Sequence, residues 1–113
     1  MANQTQFTLP GNTQFGVTAL ANAGFQQQLT VQVDGKTVGT FTGSGNEKNL
    51  GTQVFNSGSG NVQISISANG KPSDVVSARL VLANKLNVIV IGSEDGTDAD
   101  YNDTVAFLNW PLG

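Results

Sequence analysis

The densest group of chemically active side chains lies between residues 94 and 103. Five of the eight acidic residues of the chain fall there: Glu94, Asp95, Asp98, Asp100 and Asp103. No lysine or arginine lies among them, and the other 103 residues carry a net charge of +2. Because like charges at short range repel, such a segment either stays extended in water or is neutralised by a bound cation.

The donor types in this segment favour calcium. Carboxylates and the amide of Asn102 offer only oxygen atoms, which select hard cations, and a crowded, flexible set of oxygens suits calcium better than magnesium. Five carboxylates exceed what one structural ion requires, which indicates either two adjacent ions or an open position for an outside ligand. A solvated acidic turn and a calcium ion that only stabilises the fold remain alternatives.

The spacing of Asp98, Asp100 and Asn102 matches the first positions of an EF-hand loop, but the rest of that pattern is missing. Asp103 stands where the EF-hand needs glycine, and Asn109 stands where it needs glutamate. The flanking segments also read as strands. The helix-loop-helix interpretation therefore fails.

Composition excludes several classes of function. The chain has no cysteine and no histidine, which removes disulfides, zinc sites with those ligands and histidine-dependent catalysis. Acids that ligate a metal stay ionised and cannot serve as general acids, so we expect no glycosidase activity and no enzyme. A pI of about 4.4 and a net charge of −3 argue against binding nucleic acid.

The sequence also bears on membranes and location. No apolar run is long enough to cross a bilayer, so we expect no membrane insertion. A calcium-dependent phospholipid-binding module is an alternative, although such modules usually carry basic or apolar residues on their loops. Residues 1–6 lack the pattern of a signal peptide, and the cellular location stays open.

The elements that position the acidic segment read as short strands. Apolar and polar residues alternate through residues 29–33 and 62–68, which indicates strands with one buried face. Further strand-prone runs cover residues 7–9, 15–20, 38–42, 51–55, 75–82, 86–91 and 104–110. Asp34-Gly35 and Asn69-Gly70 are typical of tight hairpin turns.

About nine short strands without intervening helices predict a single domain over residues 1–113. The expected fold is an all-β, antiparallel, nine-stranded β-sandwich with Greek-key connections. Residues 88–91 read Val-Ile-Val-Ile, so we expect the side chains on both faces of that strand to be buried. One face should pack against a second sheet or another subunit.

Several segments carry a family resemblance. Residues 92–103, the final Asn-Trp-Pro-Leu-Gly of residues 109–113, and residues 7–10, 15–18, 50–54, 56–58 and 69–74 appear in the same order as in one family. Across its whole length the chain resembles the PA-IIL-like bacterial calcium-dependent lectins, which bind fucose and mannose. The resemblance implies a β-sandwich that holds two adjacent calcium ions, to which vicinal hydroxyls of a monosaccharide bind.

The resemblance also assigns residues to roles. Glu94 and Asp98 would ligate one ion, Asn22 and Asn102 the other, and Asp100 and Asp103 both. The carboxylate of Gly113 would come from a partner subunit, which implies a homodimer or a dimer of dimers. The implied metal ligands are Asn22, Glu94, Asp98, Asp100, Asn102, Asp103 and Gly113.

The implied sugar contacts include most of these ligands together with a short loop. They are Ala23, Gly24, Asp95, Asp98, Asp100, Asn102, Asp103 and Gly113. Fucose-preferring members carry serine in the loop, whereas this chain has Ala23-Gly24-Phe25 there. We therefore expect mannose to be preferred to fucose or to bind about equally well. Phe25 departs from the small residue expected at its position.

Overall fold

All regular secondary structure in the described part of the chain is β-strand. The computed structural model describes residues 4–94 and 100–112. Its strands are β1 (Gln4–Thr8), β2 (Gln14–Val33), β3 (Lys36–Asn56), β4 (Asn61–Ala68), β5 (Lys71–Pro72), β6 (Asp74–Leu82), β7 (Leu86–Glu94) and β8 (Thr104–Trp110). Every pairing between them is antiparallel. The predicted all-β fold is confirmed.

The strand count differs slightly from the expected nine, because two pairs of expected strands are continuous. Residues 15–20 and 29–33 both lie in β2, and residues 38–42 and 51–55 both lie in β3. The short β5 was not predicted. The middle segments of β2 and β3 are polar and show no apolar alternation, so the sequence pattern does not reveal that the strands continue through them. These segments pair through backbone groups and not through an apolar face.

The long strand β2 joins the two layers of the sandwich. Residues 16–21 pair with β8, whereas residues 27–33 pair with β4, so the two halves of β2 belong to different layers. The hydrogen-bonded order is β1-β4-β2-β8-β7-β6, with β3 also paired to β2. The two outer strands meet, since the hydroxyls of Thr5 and Ser77 lie 3.2 Å apart.

The core lies between these layers and follows the predicted alternation. In β4 every second residue is buried, including Val62, Ile64 and Ile66. In β7, Ile89 and Ile91 are buried, while the alternating Val88 and Val90 are only half-buried on the outer face. Each fully buried side chain of this size contributes about 1.5–3 kcal/mol to folding.

Two predicted turns adopt the backbone conformation that their residue types favour. Asp34 and Gly35 both have positive φ values, 53° and 80°, and so do Asn69 and Gly70, 50° and 83°. The Asp34 carboxylate accepts hydrogen bonds from the backbone N–H and the hydroxyl of Ser59. Within residues 4–94 and 100–112 there is no helix long and apolar enough to cross a membrane.

Candidate cation-binding site

The connection between β7 and β8 gathers three carboxylates. β7 ends at Glu94, and the antiparallel pairing of Ser93 with Thr104 returns the chain directly beside it. One carboxylate oxygen each from Glu94, Asp100 and Asp103 lies within 4.8 Å of the others. Glu94 and Asp103 are about 95% buried, whereas Asp100 is exposed. Such a cluster has the donor chemistry of a hard-cation site.

Asn22 reaches this cluster from β2, 80 residues away from Asn102 in sequence. Its backbone N–H donates to the carbonyl of Asp103 at 2.9 Å, and its Nδ2 donates to the carbonyl of Asn102 at 3.0 Å. Its Oδ1 accepts from the backbone N–H of Glu47 at 3.0 Å. A carbonyl oxygen has two lone pairs, so Oδ1 can accept that bond and still offer an electron pair to a cation.

The side chain of Asn102 faces Asp100. In this structure Oδ1 of Asn102 is directed at the carboxylate, so that three oxygens converge. Only with the amide turned over does its nitrogen donate to both oxygens of Asp100, at 2.9 Å. The three converging oxygens repel one another unless a cation lies among them. Asn102 therefore has one orientation suited to Asp100 alone and another suited to a shared cation.

The backbone of Tyr101 turns tightly inside the site. Its φ is 54°, and its N–H donates to Oε1 of Glu94 at 3.4 Å. A Cβ at Gly92 would lie 2.5 Å from the carbonyl oxygen of Tyr101, a contact that real side chains do not make. Gly92 is therefore required for the close approach of the two strand ends, a role that the sequence analysis did not assign.

A line of buried hydrogen bonds supports the site from beneath. Oγ1 of Thr104 donates to Oε1 of Gln27 at 2.8 Å, and Nε2 of Gln27 donates to the carbonyl of Phe25 at 3.2 Å. On the other side, Oγ of Ser93 accepts from the N–H of Thr104 at 3.0 Å. Sequence reasoning missed these positioning residues. The only available signal was a polar triplet at residues 26–28, which does not show which glutamine is buried.

The other predicted site residues divide into two groups. Ala23 is half-buried and Gly24 is exposed, and both lie in β2 immediately after Asn22. Asp95, Asp98 and Gly113 lie outside the described residues. The structure therefore brings together Asn22, Glu94, Asp100, Asn102 and Asp103, while two metal ligands implied by the resemblance lie outside the part of the chain described.

The chain is similar to bacterial lectins over nearly its whole length. The family described as Fucose-binding lectin II (PA-IIL) matches residues 7–112. A Ralstonia solanacearum high-affinity mannose-binding lectin is 62% identical, with a TM-score of 0.93 and 96% of each chain covered. The Chromobacterium violaceum lectin CV2L, solved with α-methyl-fucoside, is 57% identical, with a TM-score of 0.95 and coverage of 99% of this chain and 100% of that one.

A third similar structure is the C-terminal domain of the BC2L-C lectin from Burkholderia cenocepacia. It is 45% identical, with a TM-score of 0.91 and 100% of each chain covered. A search of curated protein sequences returned no match. Lectins bind carbohydrates without changing them chemically, so this chain is a carbohydrate-binding protein and not an enzyme. The chain belongs to the PA-IIL family of fucose-binding lectins.

Proposed function

We propose that this lectin binds mannose- or fucose-bearing glycans through calcium held at the acidic cluster. The observation that carries the proposal is the convergence of Glu94, Asp100 and Asp103, whose carboxylate oxygens lie within 4.8 Å of one another. Bound calcium would supply a Lewis-acidic centre to which sugar hydroxyls can bind as oxygen ligands. The protein residues fix the position of that centre, which lowers the entropic cost of binding a small sugar.

Two calcium ions fit the charge of the proposed ligand set. Glu94 and Asp98 would hold one ion, Asn22 and Asn102 the other, and Asp100 and Asp103 would contact both. With a terminal carboxylate from a partner's Gly113, the acids contribute −5 against +4 from two calcium ions. A nearly neutral site can accept an uncharged sugar without a large electrostatic penalty. The contacts of Asn22 with residues 102 and 103 support its place in the second ion's ligand set.

The sugar preference is proposed from the loop after Asn22. Ala23 and Gly24 offer backbone groups but no hydroxyl, so a sugar there gains no hydrogen bond from a serine. Of the related structures, one is described as a mannose-binding lectin and another holds α-methyl-fucoside. We therefore expect mannose to bind at least as tightly as fucose. The Asp95 carboxylate would accept a hydrogen bond from a sugar hydroxyl.

A homodimer, or a dimer of such dimers, would complete the site with the partner's C-terminus. Exposed apolar side chains on the outer face of the sheet support a second copy as the partner. Val76, Val90 and Val105 line a groove of about 330 Å³, and Leu80 and Leu82 are each about half exposed on β6.

Sugar affinity chromatography is the first test. The protein is passed over mannose-agarose and fucose-agarose in calcium and then eluted with a chelator. Retention that the chelator abolishes supports the proposal, and calorimetry with methyl mannoside and methyl fucoside then ranks the two sugars. Passage through both columns in calcium would overturn the proposal. Much tighter binding of fucose would overturn only the preference.

The role of the C-terminus has a separate test. Extra residues after Gly113 would move the terminal carboxylate away from the neighbouring site. We expect the extended protein to melt like the original chain but to bind calcium and sugar more weakly. Unchanged affinity would contradict the proposed contribution of the partner's tail.

A further inference from the structure

The middle of β2 departs from regular pairing around Phe25. Ala23 pairs with Gly45, but Gln27 pairs with Gly43, so β2 contains two more residues than β3 across this stretch. Bulges of this kind redirect side chains and are common beside binding sites. The redirected side chain here is Phe25, which is 47% exposed. A large apolar ring that is exposed to water offers a surface against which a ligand can pack.

The backbone around Phe25 is firmly held. The N–H of Gln26 donates to Oδ1 of Asn69, and the N–H of Asn69 donates to the carbonyl of Gln26, both at 2.8 Å. Nε2 of the buried Gln27 donates to the carbonyl of Phe25 at 3.2 Å. Two hydrogen bonds thus fix the bulge against the turn at Asn69-Gly70, and the third lies within the bulge itself. A surface held in this way loses little conformational entropy when a ligand binds.

A pocket of about 230 Å³ lies between the bulge and this turn. Its lining residues are Phe25, Ala68, Asn69, Lys71, Pro72 and Ser73. Ser73 is 2% exposed, and its hydroxyl is the buried side-chain oxygen within the described residues that has no hydrogen-bond partner. That hydroxyl is closed to solvent, so the side chains of the pocket that a ligand can reach are the exposed ones, Phe25 and Lys71 among them.

The pocket is connected to the cation-binding site by two routes. Ser73 directly precedes Asp74, which lies opposite Glu94 in the pairing of β6 with β7. On the other wall, the carbonyl of Phe25 is joined through Gln27 to Thr104, the residue after Asp103. The pocket therefore lies close to the residues of the cation-binding site in the fold.

The chemistry of the pocket matches a sugar ring. A pyranose has an apolar face of C–H groups and a rim of hydroxyls. The negative face of an aromatic ring attracts such C–H groups, and the ammonium of Lys71 can donate to the hydroxyls. An apolar wall with a few polar groups is the usual make-up of a small-molecule pocket.

We propose that this pocket is a second sugar subsite, which binds the residue glycosidically linked to the sugar at the cation site. Phe25 packs against the C–H face of that second residue, and Lys71 contacts its hydroxyls. This inference rests on the proposed function, because the first sugar must be held at the cation site. The protein would then distinguish glycans by the sugar next to the terminal one.

The test compares methyl α-mannoside with a panel of α-linked mannobioses by calorimetry in calcium. We expect at least one disaccharide to bind the original chain roughly three- to tenfold more tightly than the monosaccharide. Phe25→Leu keeps an apolar side chain but loses the ring, so this advantage should disappear. Phe25→Tyr keeps the ring and should retain it. Val54→Ala removes another exposed apolar group, 56% exposed on β3, and should leave the ratio unchanged.

The outcomes separate the two proposals. If the monosaccharide binds but no disaccharide binds more tightly, the second subsite is overturned while the proposed function stands. An equal advantage in the Phe25→Leu variant would also overturn it. If the original chain binds neither sugar in calcium, both proposals fail. Melting temperatures equal to that of the original chain would exclude unfolding of the variants as the cause.

Discussion

Carboxylates near the two ends of β4 lie in opposite environments. Beside Asn61, the first residue of β4, Asp34 is exposed, its N–H donates to the carbonyl of Asn61, and its carboxylate accepts from the N–H and hydroxyl of Ser59. Beyond Ala68, at the other end, the Phe25 bulge leads to a site where Glu94 and Asp103 are buried and cluster with Asp100.

The difference shows that the surrounding donors decide what a carboxylate does. Hydrogen bonds from the hydroxyl and the backbone N–H of Ser59 hold the pKa of Asp34 below its usual range, so donors within the chain satisfy that charge. Three clustered carboxylates repel one another, and a divalent cation is the natural means of relieving that repulsion. Asp34 stabilises a turn, whereas Glu94, Asp100 and Asp103 form the proposed cation-binding site.

The largest expected effect comes from Asp103→Asn. This change removes a charge from the buried side of the cluster while keeping its shape. Changes to residues that only hydrogen-bond to a metal ligand typically weaken metal binding roughly 10–100-fold. Asp103 is itself a proposed ligand, so we expect calcium affinity to fall by more than that and sugar binding to be lost with it. Calorimetry with calcium and then with methyl mannoside measures both. Asp34→Asn is the matched control at the other end of β4 and should bind both normally.

A steric change at Gly92 should have the next largest effect. Gly92→Ala would force the carbonyl of Tyr101 away from a Cβ placed 2.5 Å from it. Moving Tyr101 displaces Asp100 and Asn102, so we expect calcium affinity to fall roughly 10–100-fold. Gly24→Ala meets no atom within 4 Å and should bind calcium like the original chain. Equal calcium affinity in both variants would contradict the packing argument.

A smaller effect is expected on stability when the buried hydrogen bond beneath the site is removed. Thr104→Val leaves Oε1 of Gln27 without its donor, which should cost about 1–3 kcal/mol. In thermal unfolding with a chelator, the midpoint should fall by on the order of 5 °C or more.

Thr18→Val provides the matched control. It removes an exposed hydroxyl pair with Thr52 and should change stability by no more than about 0.5 kcal/mol. Equal losses of stability in the Thr104 and Thr18 variants would contradict the idea that the buried hydrogen bond to Gln27 contributes more than an exposed one.

The smallest effect concerns acid. The pKa of Asp34 is lower in the folded protein, so its contribution to stability is complete above the usual aspartate pKa, about 4. That contribution disappears as the pH falls through the lowered folded value. Asp34→Asn removes the titrating group, so its melting temperature should fall less steeply with acid than that of the original chain. Parallel acid profiles, measured with a chelator, would contradict this role.

Much of the fold was predictable because strand patterns are local. The alternation at residues 62–68 identified β4 and its buried face, and Asp34-Gly35 identified a hairpin from conformational preferences alone. The continuity of β2 was not predictable. Residues 21–28 do not alternate, and they form a strand only because partners in β3, β4 and β8 supply the hydrogen bonds.

The candidate site was predictable to a different degree. The acidic residues and Asn102 were identified from their types and spacing, and Asn22 from the family resemblance. Gln27 was missed because one buried glutamine among three consecutive glutamines leaves no periodic signal. Gly92 was missed because its importance depends on a backbone carbonyl nine residues later, which only the folded chain brings into contact with it.

The sequence by itself determined the chemistry of this protein: an all-β chain without histidine or cysteine, and a concentrated set of oxygen ligands for a hard cation. These properties follow from residue types and short-range spacing. Only the tertiary structure decided that Asn22 meets residues 102 and 103, and that Phe25 faces a pocket walled by Lys71 and Ser73. Such neighbours are set by the register of paired strands, which joins residues far apart in sequence.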